Sequence, residues 1–145
     1  MAVLAEYGYI GLFIASFLAA TILPLSSEFV LIYLLLNNYD PFLSITVATT
    51  GNVLGSFVNY ALGFWGSFLV MERLLRLSKT EIAQSEQRFN KYGVFSLLFA
   101  WVPIIGDPLT VAAGVLKINI FLFLILVTAG KLFRYIIVGI SVLAL

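Results

Sequence analysis

Apolar positions run through the chain in long stretches that short polar segments interrupt, and the interruptions define its plan. The first apolar run, residues 7 to 36, is too long for one simple span and is broken by Pro24, with Glu28 one turn further on. Its second piece, residues 29 to 36, is too short to cross a hydrocarbon core of about 30 Å as a helix rising about 1.5 Å per residue. A re-entrant segment is the leading reading, and a single kinked, tilted helix is the alternative. After the polar link Asn37-Asn38-Tyr39-Asp40-Pro41, residues 42 to 71 carry no charge and predict a transmembrane helix.

Between residues 72 and 91 the composition switches, with Arg73, Arg76, Lys79, Arg88 and Lys91 interspersed with Glu72, Glu81 and Glu86. Ser78-Lys79-Thr80-Glu81 has capping-box spacing and predicts a short amphipathic helix from Ser78, with Leu77, Ile82 and Phe89 against the membrane surface. The second half then repeats the plan. An apolar run from Tyr92 is broken by Pro103, Gly106, Asp107 and Pro108, a link follows at Lys117-Ile118-Asn119, and a last apolar stretch carries Lys131 and Arg134.

The two halves share polar landmarks at an offset of 79 residues. Pro24-Leu25-Ser26-Ser27-Glu28 falls on Pro103-Ile104-Ile105-Gly106-Asp107, and Thr49-Thr50-Gly51-Asn52 falls on Thr128-Ala129-Gly130-Lys131. Paired, interrupted hydrophobic segments in corresponding halves point to a membrane transport site. The predicted fold is an all-α integral membrane protein, one membrane domain over residues 1–145. Repeat one spans about 7–71, the basic connector 72–91 and repeat two 92–145. Each half is a re-entrant broken helix followed by a transmembrane helix, in inverted orientation. That arrangement puts the connector and Lys117 on one side, and Glu6 and Asp40 on the other, as the positive-inside rule asks. A four-crossing arrangement, in which both broken segments span fully, places Lys117 on the opposite side and fits the rule less well.

Composition narrows the class. With 62% hydrophobic and 10% charged residues, the chain reads as an integral membrane protein. A formal net charge of +1 without a basic, aromatic-interleaved patch argues against nucleic acid as a partner. No cysteine and no histidine are present, which excludes disulfides and Cys or His metal sites and leaves no evident nucleophile and base, so neither metal nor cofactor is expected. The first residues carry no basic n-region, so the expectation is that the first apolar run is retained rather than cleaved.

Glu28 and Asp107 are the candidate transport or proton-binding carboxylates. Each sits inside an apolar stretch, where a charge at the bilayer centre costs about 2.5–3.5 kcal/mol on insertion scales. The bland reading of each is a cap for the half-helix that follows the break, whose first N–H groups lack partners. Lys131 and Arg134, three residues apart, share a helix face with Thr128, and Asp107 is their expected partner. Their functional reading is a headgroup or phosphate contact, and the alternatives are an internal ion pair or snorkelling. Along 42 to 71, Ala48, Asn52, Ser56, Asn59, Gly63 and Ser67 form a small and polar stripe on which re-entrant backbone packs, and Gly51 and Gly55 form a G-x-x-x-G read as close helix packing. The aromatic residues are read as mostly lipid-facing or interfacial.

Several runs together resemble the DedA family, also called the VTT or SNARE-associated Golgi protein family, and within it the short YqaA-like branch. They are the run from Phe17 to Glu28, Gly51-Asn52-Val53-Leu54-Gly55, Lys91-Tyr92-Gly93, Trp101-Val102-Pro103-Ile104-Ile105-Gly106-Asp107, Ala113-Gly114 and the run from Gly130 to Tyr135. The resemblance covers nearly the whole chain. It implies an inverted-repeat membrane fold with two re-entrant loops, in a group that includes lipid scramblases and polyprenyl phosphate transporters often thought to be proton-coupled. Typical members carry arginines three residues before and after the second-repeat proline, where this chain has Ala100 and Gly106. The cations stand instead at Lys131 and Arg134.

The expected function is a small, non-enzymatic transporter in a prokaryotic cytoplasmic (inner) membrane, moving a phospholipid or polyprenyl phosphate, with membrane lipids as substrate, protons as a candidate coupling ion and the connector on the cytoplasmic side. An oligomer is compatible with this composition. The rivals are a membrane-assembly or interaction protein with structural buried ions, and an ion or small-solute carrier.

Overall fold

The computed structural model describes residues 2–21, 26–68, 93–102 and 105–145, with positions 80, 83 and 87. The proposed breaks at Pro24 and Pro103 and the capping box at Ser78, with nearly all of the connector, lie outside the described residues. Among the described residues there is no strand. Helices α1 (Ala2–Glu6), α2 (Gly8–Thr21), α3 (Ser26–Leu36) and α4 (Pro41–Phe68) are followed by a 3-10 helix (Val94–Trp101), then α5 (Gly106–Val115) and α6 (Ile120–Leu143).

Among the described residues, two helices are long and apolar enough to cross a membrane. The 28 residues of α4 and the 24 of α6 correspond to lengths of about 42 and 36 Å, against a hydrocarbon core of about 30 Å. Both begin on local chemistry the sequence supplies. Pro41 occupies the first helical position of α4, where its missing N–H costs nothing, and the Leu43 N–H donates to Asp40 Oδ1 at 2.7 Å. At α6 the Asn119 side chain accepts from the Phe121 and Leu122 N–H groups at 2.9 and 3.3 Å. The shorter α3 and α5 both end in a left-handed residue, Asn38 (φ 62°) and Lys117 (φ 52°). In each case the amide of that residue and the one after it turn back onto the helix: Asn38 and Tyr39 donate to the Leu35 and Leu34 carbonyls, Lys117 and Ile118 to those of Gly114 and Ala113.

After α3 the chain lies beside the start of α2. The Asp40 N–H donates to the Tyr9 hydroxyl at 3.2 Å, and the rings of Tyr9 and Tyr39 meet edge-on at 5.2 Å. Parallel packing of α4 on α2 follows, Gly51 against Phe13 and Gly55 against Phe17. Further along, α4 packs on α5, with Gly63 against Val111 and Gly114 against Tyr60. Helix α6 runs antiparallel to α4: Tyr60 faces Phe123 with ring centroids 4.7 Å apart, Asn52 meets Lys131, and Ile45 lies against Gly139.

Two apolar clusters form, one toward each end. Leu12, Ala15, Leu31, Leu34, Ala48 and Tyr135 pack in the first, and Tyr60, Leu97, Ala113, Phe123 and Val127 in the second. Between them, along α4 and α6, the buried residues are polar: Asn52, Ser56, Asn59 and Lys131. The polar stripe read from the sequence is buried throughout, from Ala48 to Ser67. Many aromatics and branched residues face outward as expected, Phe29, Phe42, Phe121 and Ile125 among them, but Tyr60, Phe123 and Tyr135 are buried.

The close approach of α4 and α5 leaves no room for a side chain at Gly114, where a Cβ would stand 2.0 Å from the Tyr60 carbonyl oxygen, whereas a Cβ at Gly66 would meet nothing within 4 Å among the described residues. Gly114→Ala is therefore expected to lower the thermal-unfolding midpoint in detergent through an overpacking cost of about 1–3 kcal/mol, while Gly66→Ala does not lower it. Equal midpoints for the two variants would contradict this packing.

Candidate functional site

The polar layer gathers side chains from both halves. Glu28 stands in the first turn of α3 and Asp107 in the first turn of α5, so each carboxylate lies at the end of a short helix where the helix dipole favours an anion. Opposite them, α6 presents Lys131 and Arg134 three residues apart, on one face. Arg134 Nη2 forms an ion pair with Glu28 Oε1, both side chains 17% exposed. Lys131 Nζ lies 3.4 Å from Asp107 Oδ1 and also donates to Asn52 Oδ1 on α4, and only 3% of it is exposed, against 27% of Asp107. The sequence points to Asp107 as partner of both cations. The structure divides them, because the Arg134 fork reaches the first-half carboxylate while Lys131 keeps the second-half one.

Tyr135 locks the layer together. Its hydroxyl donates to Ser27 Oγ at 2.9 Å and accepts from Asn52 Nδ2 at 3.0 Å, with all three residues buried. Asn52 thus uses both ends of its amide, one toward Tyr135 and the other toward Lys131. Toward the second cluster, Asn59 Nδ2 donates to the Ala20 carbonyl at 2.7 Å and to Thr110 Oγ1 at 3.2 Å. On the other side of the layer, Arg134 Nη1 donates to the Trp101 carbonyl at 3.3 Å. Two carbonyls in the last turns of α2 and of the 3-10 helix, which a helix end leaves unpaired, are therefore met by side chains of the two long helices.

Of the predicted site residues, Glu28, Asp107, Lys131, Arg134 and Asn52 come together, and Asn59 joins the same layer through Thr110. Ser56 is fully buried but donates within its own helix, to the Asn52 carbonyl at 3.1 Å. Thr128 is half-buried and, among the described residues, takes part in none of these contacts. Gly106 opens α5 where a Cβ would stand 2.1 Å from the Ala100 carbonyl oxygen, and Pro108 lies exposed in the first turn of that helix. Sequence reasoning passes over Tyr135, Ser27 and Thr110. A signal for Tyr135 exists, since it follows Lys131 by one helical turn and so shares its buried face.

Chemically, the layer holds two cations and two carboxylates in an apolar surround. Buried ion pairs of this kind repay their desolvation only when each partner is present and further hydrogen bonds complete the set. The guanidinium fork and the ammonium are also the groups that recognise phosphate oxygens.

A family model described as VTT domain matches residues 23–142. The chain is 36% identical over 132 residues to the inner membrane protein YqaA of Escherichia coli (strain K12), covering 89% of this chain and 87% of that protein. It is 32% identical over 133 residues to an uncharacterized protein of Haemophilus influenzae, covering 86% and 81%. A protein of Lactococcus lactis subsp. cremoris named alkaline phosphatase-like is 30% identical over 149 residues, covering 90% of this chain and 67% of that protein. No solved structure matches the chain significantly.

If the Arg134–Glu28 pair is coupled, Glu28→Leu and Arg134→Leu each lower unfolding stability by about 3 kcal/mol, the low end for a buried pair broken on one side. The double substitution loses much less than the sum, because no uncompensated charge remains. Denaturant titration of the three variants in detergent measures this cycle, and simple additivity would refute the coupling.

Proposed function

The chain belongs to the VTT-domain (DedA) family of membrane proteins, and on that premise we propose that it is a transporter that passes the polar head of a lipid across the bilayer along the charged layer. The observation that carries this reading is the meeting of Glu28 and Asp107, from two different short helices, with Lys131 and Arg134 of one long helix between two apolar clusters. A headgroup phosphate competes with the two carboxylates for the guanidinium and the ammonium. A carboxylate released in that exchange is an anion in an apolar surround, a state that taking up a proton relieves. Proton coupling enters the proposal through this step. The lipid tails stay in the bilayer, against the outward-facing apolar residues of α4 and α6.

We read α2–α3 and the 3-10 helix with α5 as re-entrant pairs in inverted halves. The contact of Tyr9 with Tyr39 and Asp40 supports this reading for the first pair, because it brings the start of α2 and the end of α3 to one level. The antiparallel course of α4 and α6 supports the inversion. So does the recurrence, at the 79-residue offset, of the left-handed residues Asn38 and Lys117 and the caps Asp40 and Asn119. Lys117 lies over the Phe64 ring at 5.6 Å, toward the end of α4 that leads into the basic connector, which favours a shared cytoplasmic side. The name of the Escherichia coli relative supports an inner-membrane location. The Lactococcus name suggests phosphatase chemistry, but with no histidine or cysteine in 145 residues, the non-enzymatic reading is the one we carry forward.

Two experiments test these readings. In proteoliposomes, wild type is expected to move a fluorescent phospholipid between leaflets faster than protein-free vesicles, while folded Glu28→Gln and Asp107→Asn fall about tenfold or more, the factor that about 1.4 kcal/mol of lost interaction supplies. Wild-type rates equal to empty vesicles, with or without a pH gradient, would reject phospholipid movement. Folded variants as active as wild type would instead remove the carboxylates from the path. For topology, single cysteines replacing Ser78 and Leu116 should label from one side and a cysteine replacing Asn37 from the other; labelling of positions 78 and 116 from opposite sides would reject the inverted arrangement.

A further inference from the structure

A second feature lies at the membrane surface, away from the charged layer. A cavity of about 450 Å³ opens between the far end of α4 and the link from α5 to α6, lined by Phe57, Tyr60, Phe64, Trp65 and Ile118, with Lys117 as the single charged lining residue among the described residues. The volume falls within the range of about 300–1,000 Å³ of small-ligand sites. Its wall is apolar, and Trp65, 78% exposed, stands at the rim as tryptophans do at the headgroup level.

The lysine is anomalous in its backbone. Lys117 closes α5 in the left-handed conformation (φ 52°), which glycine adopts freely, asparagine tolerates and lysine does not favour. The corresponding position in the first half, reached by the 79-residue offset, holds Asn38 in the same conformation with the same pair of returning amide bonds. Asparagine would therefore serve the turn better, and the chain keeps a cation at the mouth of an apolar groove.

We propose that this groove holds an acyl chain of an anionic phospholipid, whose phosphate is met by Lys117. Shape and wall suit the chain, and the Lys117 ammonium at the mouth suits the phosphate. The inference is independent of the transport reading, since a bound lipid here needs no movement across the bilayer.

The test uses the whole protein with Trp101→Phe, which leaves Trp65 as the one tryptophan of the two in the chain. It is reconstituted in phosphatidylcholine vesicles with increasing fractions of brominated phosphatidylglycerol or, separately, brominated phosphatidylcholine. Quenching of Trp65 is expected to show phosphatidylglycerol bound about fivefold more strongly than phosphatidylcholine, the factor that one basic residue near a membrane surface supplies. Lys117→Asn should bring that ratio to one while the melting midpoint in lipid-free detergent stays the same or rises. A wild-type ratio of one, or a preference that survives Lys117→Asn, would overturn the proposal. So would a Trp65 that neither lipid quenches, because the groove would then be covered by protein. A Lys117→Asn variant that melts lower and keeps its preference would reduce the lysine to its contact with Phe64.

Discussion

A helix that stops inside an apolar stretch leaves carbonyl and amide groups with no water to receive them, and the rest of this structure answers that deficit. At the end of α2 the Ala20 carbonyl is met by Asn59, and at the end of the 3-10 helix the Trp101 carbonyl is met by Arg134. Each solution creates a further demand. A guanidinium in this layer needs an anion, which Glu28 supplies, and the neighbouring lysine needs acceptors, which Asn52 and Asp107 supply. Asn52 is fixed in turn by Tyr135, and Tyr135 by Ser27. The small residues of α4 belong to the same logic, because only backbone-to-backbone approach at Gly55 and Gly63 brings so short a side chain as Asn59 within reach of both neighbours.

The two apolar clusters and the polar layer also divide the labour of holding the bundle. Leu12, Leu31 and Leu34 on one side, and Leu97, Phe123 and Val127 on the other, pack without direction and tolerate small shifts. The layer between them is directional: the bonds of Lys131, Arg134 and Tyr135 specify a register of α6 against α4, α3 and α5. Both carboxylates answer to cations on α6, so a displacement of that one helix bears on both ion pairs.

Much of this was legible in the sequence because it depends on local periodicity or on rare residues. The stripe from Ala48 to Ser67 follows from helical spacing alone, and the start of α4 follows from Asp40 and Pro41. The positions of Glu28 and Asp107 in first turns follow from polar residues at matched places in an apolar chain. Pairing between distant segments was not legible. Tyr135 and Ser27 are 108 residues apart, and their contact depends on how α3 and α6 cross, which no spacing in either segment encodes. Arg134 reaches Glu28 rather than Asp107 for the same reason. Tyr135 was obscured further by composition, since one buried hydroxyl among 20 Phe and Tyr residues carries no mark of its own (13 Phe plus 7 Tyr).

Lys131 and Asn52 touch, and they are 79 residues apart, the spacing at which the polar landmarks of the sequence recur, so each stands at the other's counterpart position. A position that faces its own counterpart obeys a rule other positions escape. Two identical lysines there would repel at close range with little water between them, and the ammonium would have no amide oxygen to receive it. A pair of identical, unfused half-length chains meeting about a two-fold axis could therefore never hold this contact. Two positions of one polypeptide are encoded separately and are free to differ, so the ammonium and the amide oxygen that receives it form an asymmetric pair that two identical chains could not supply.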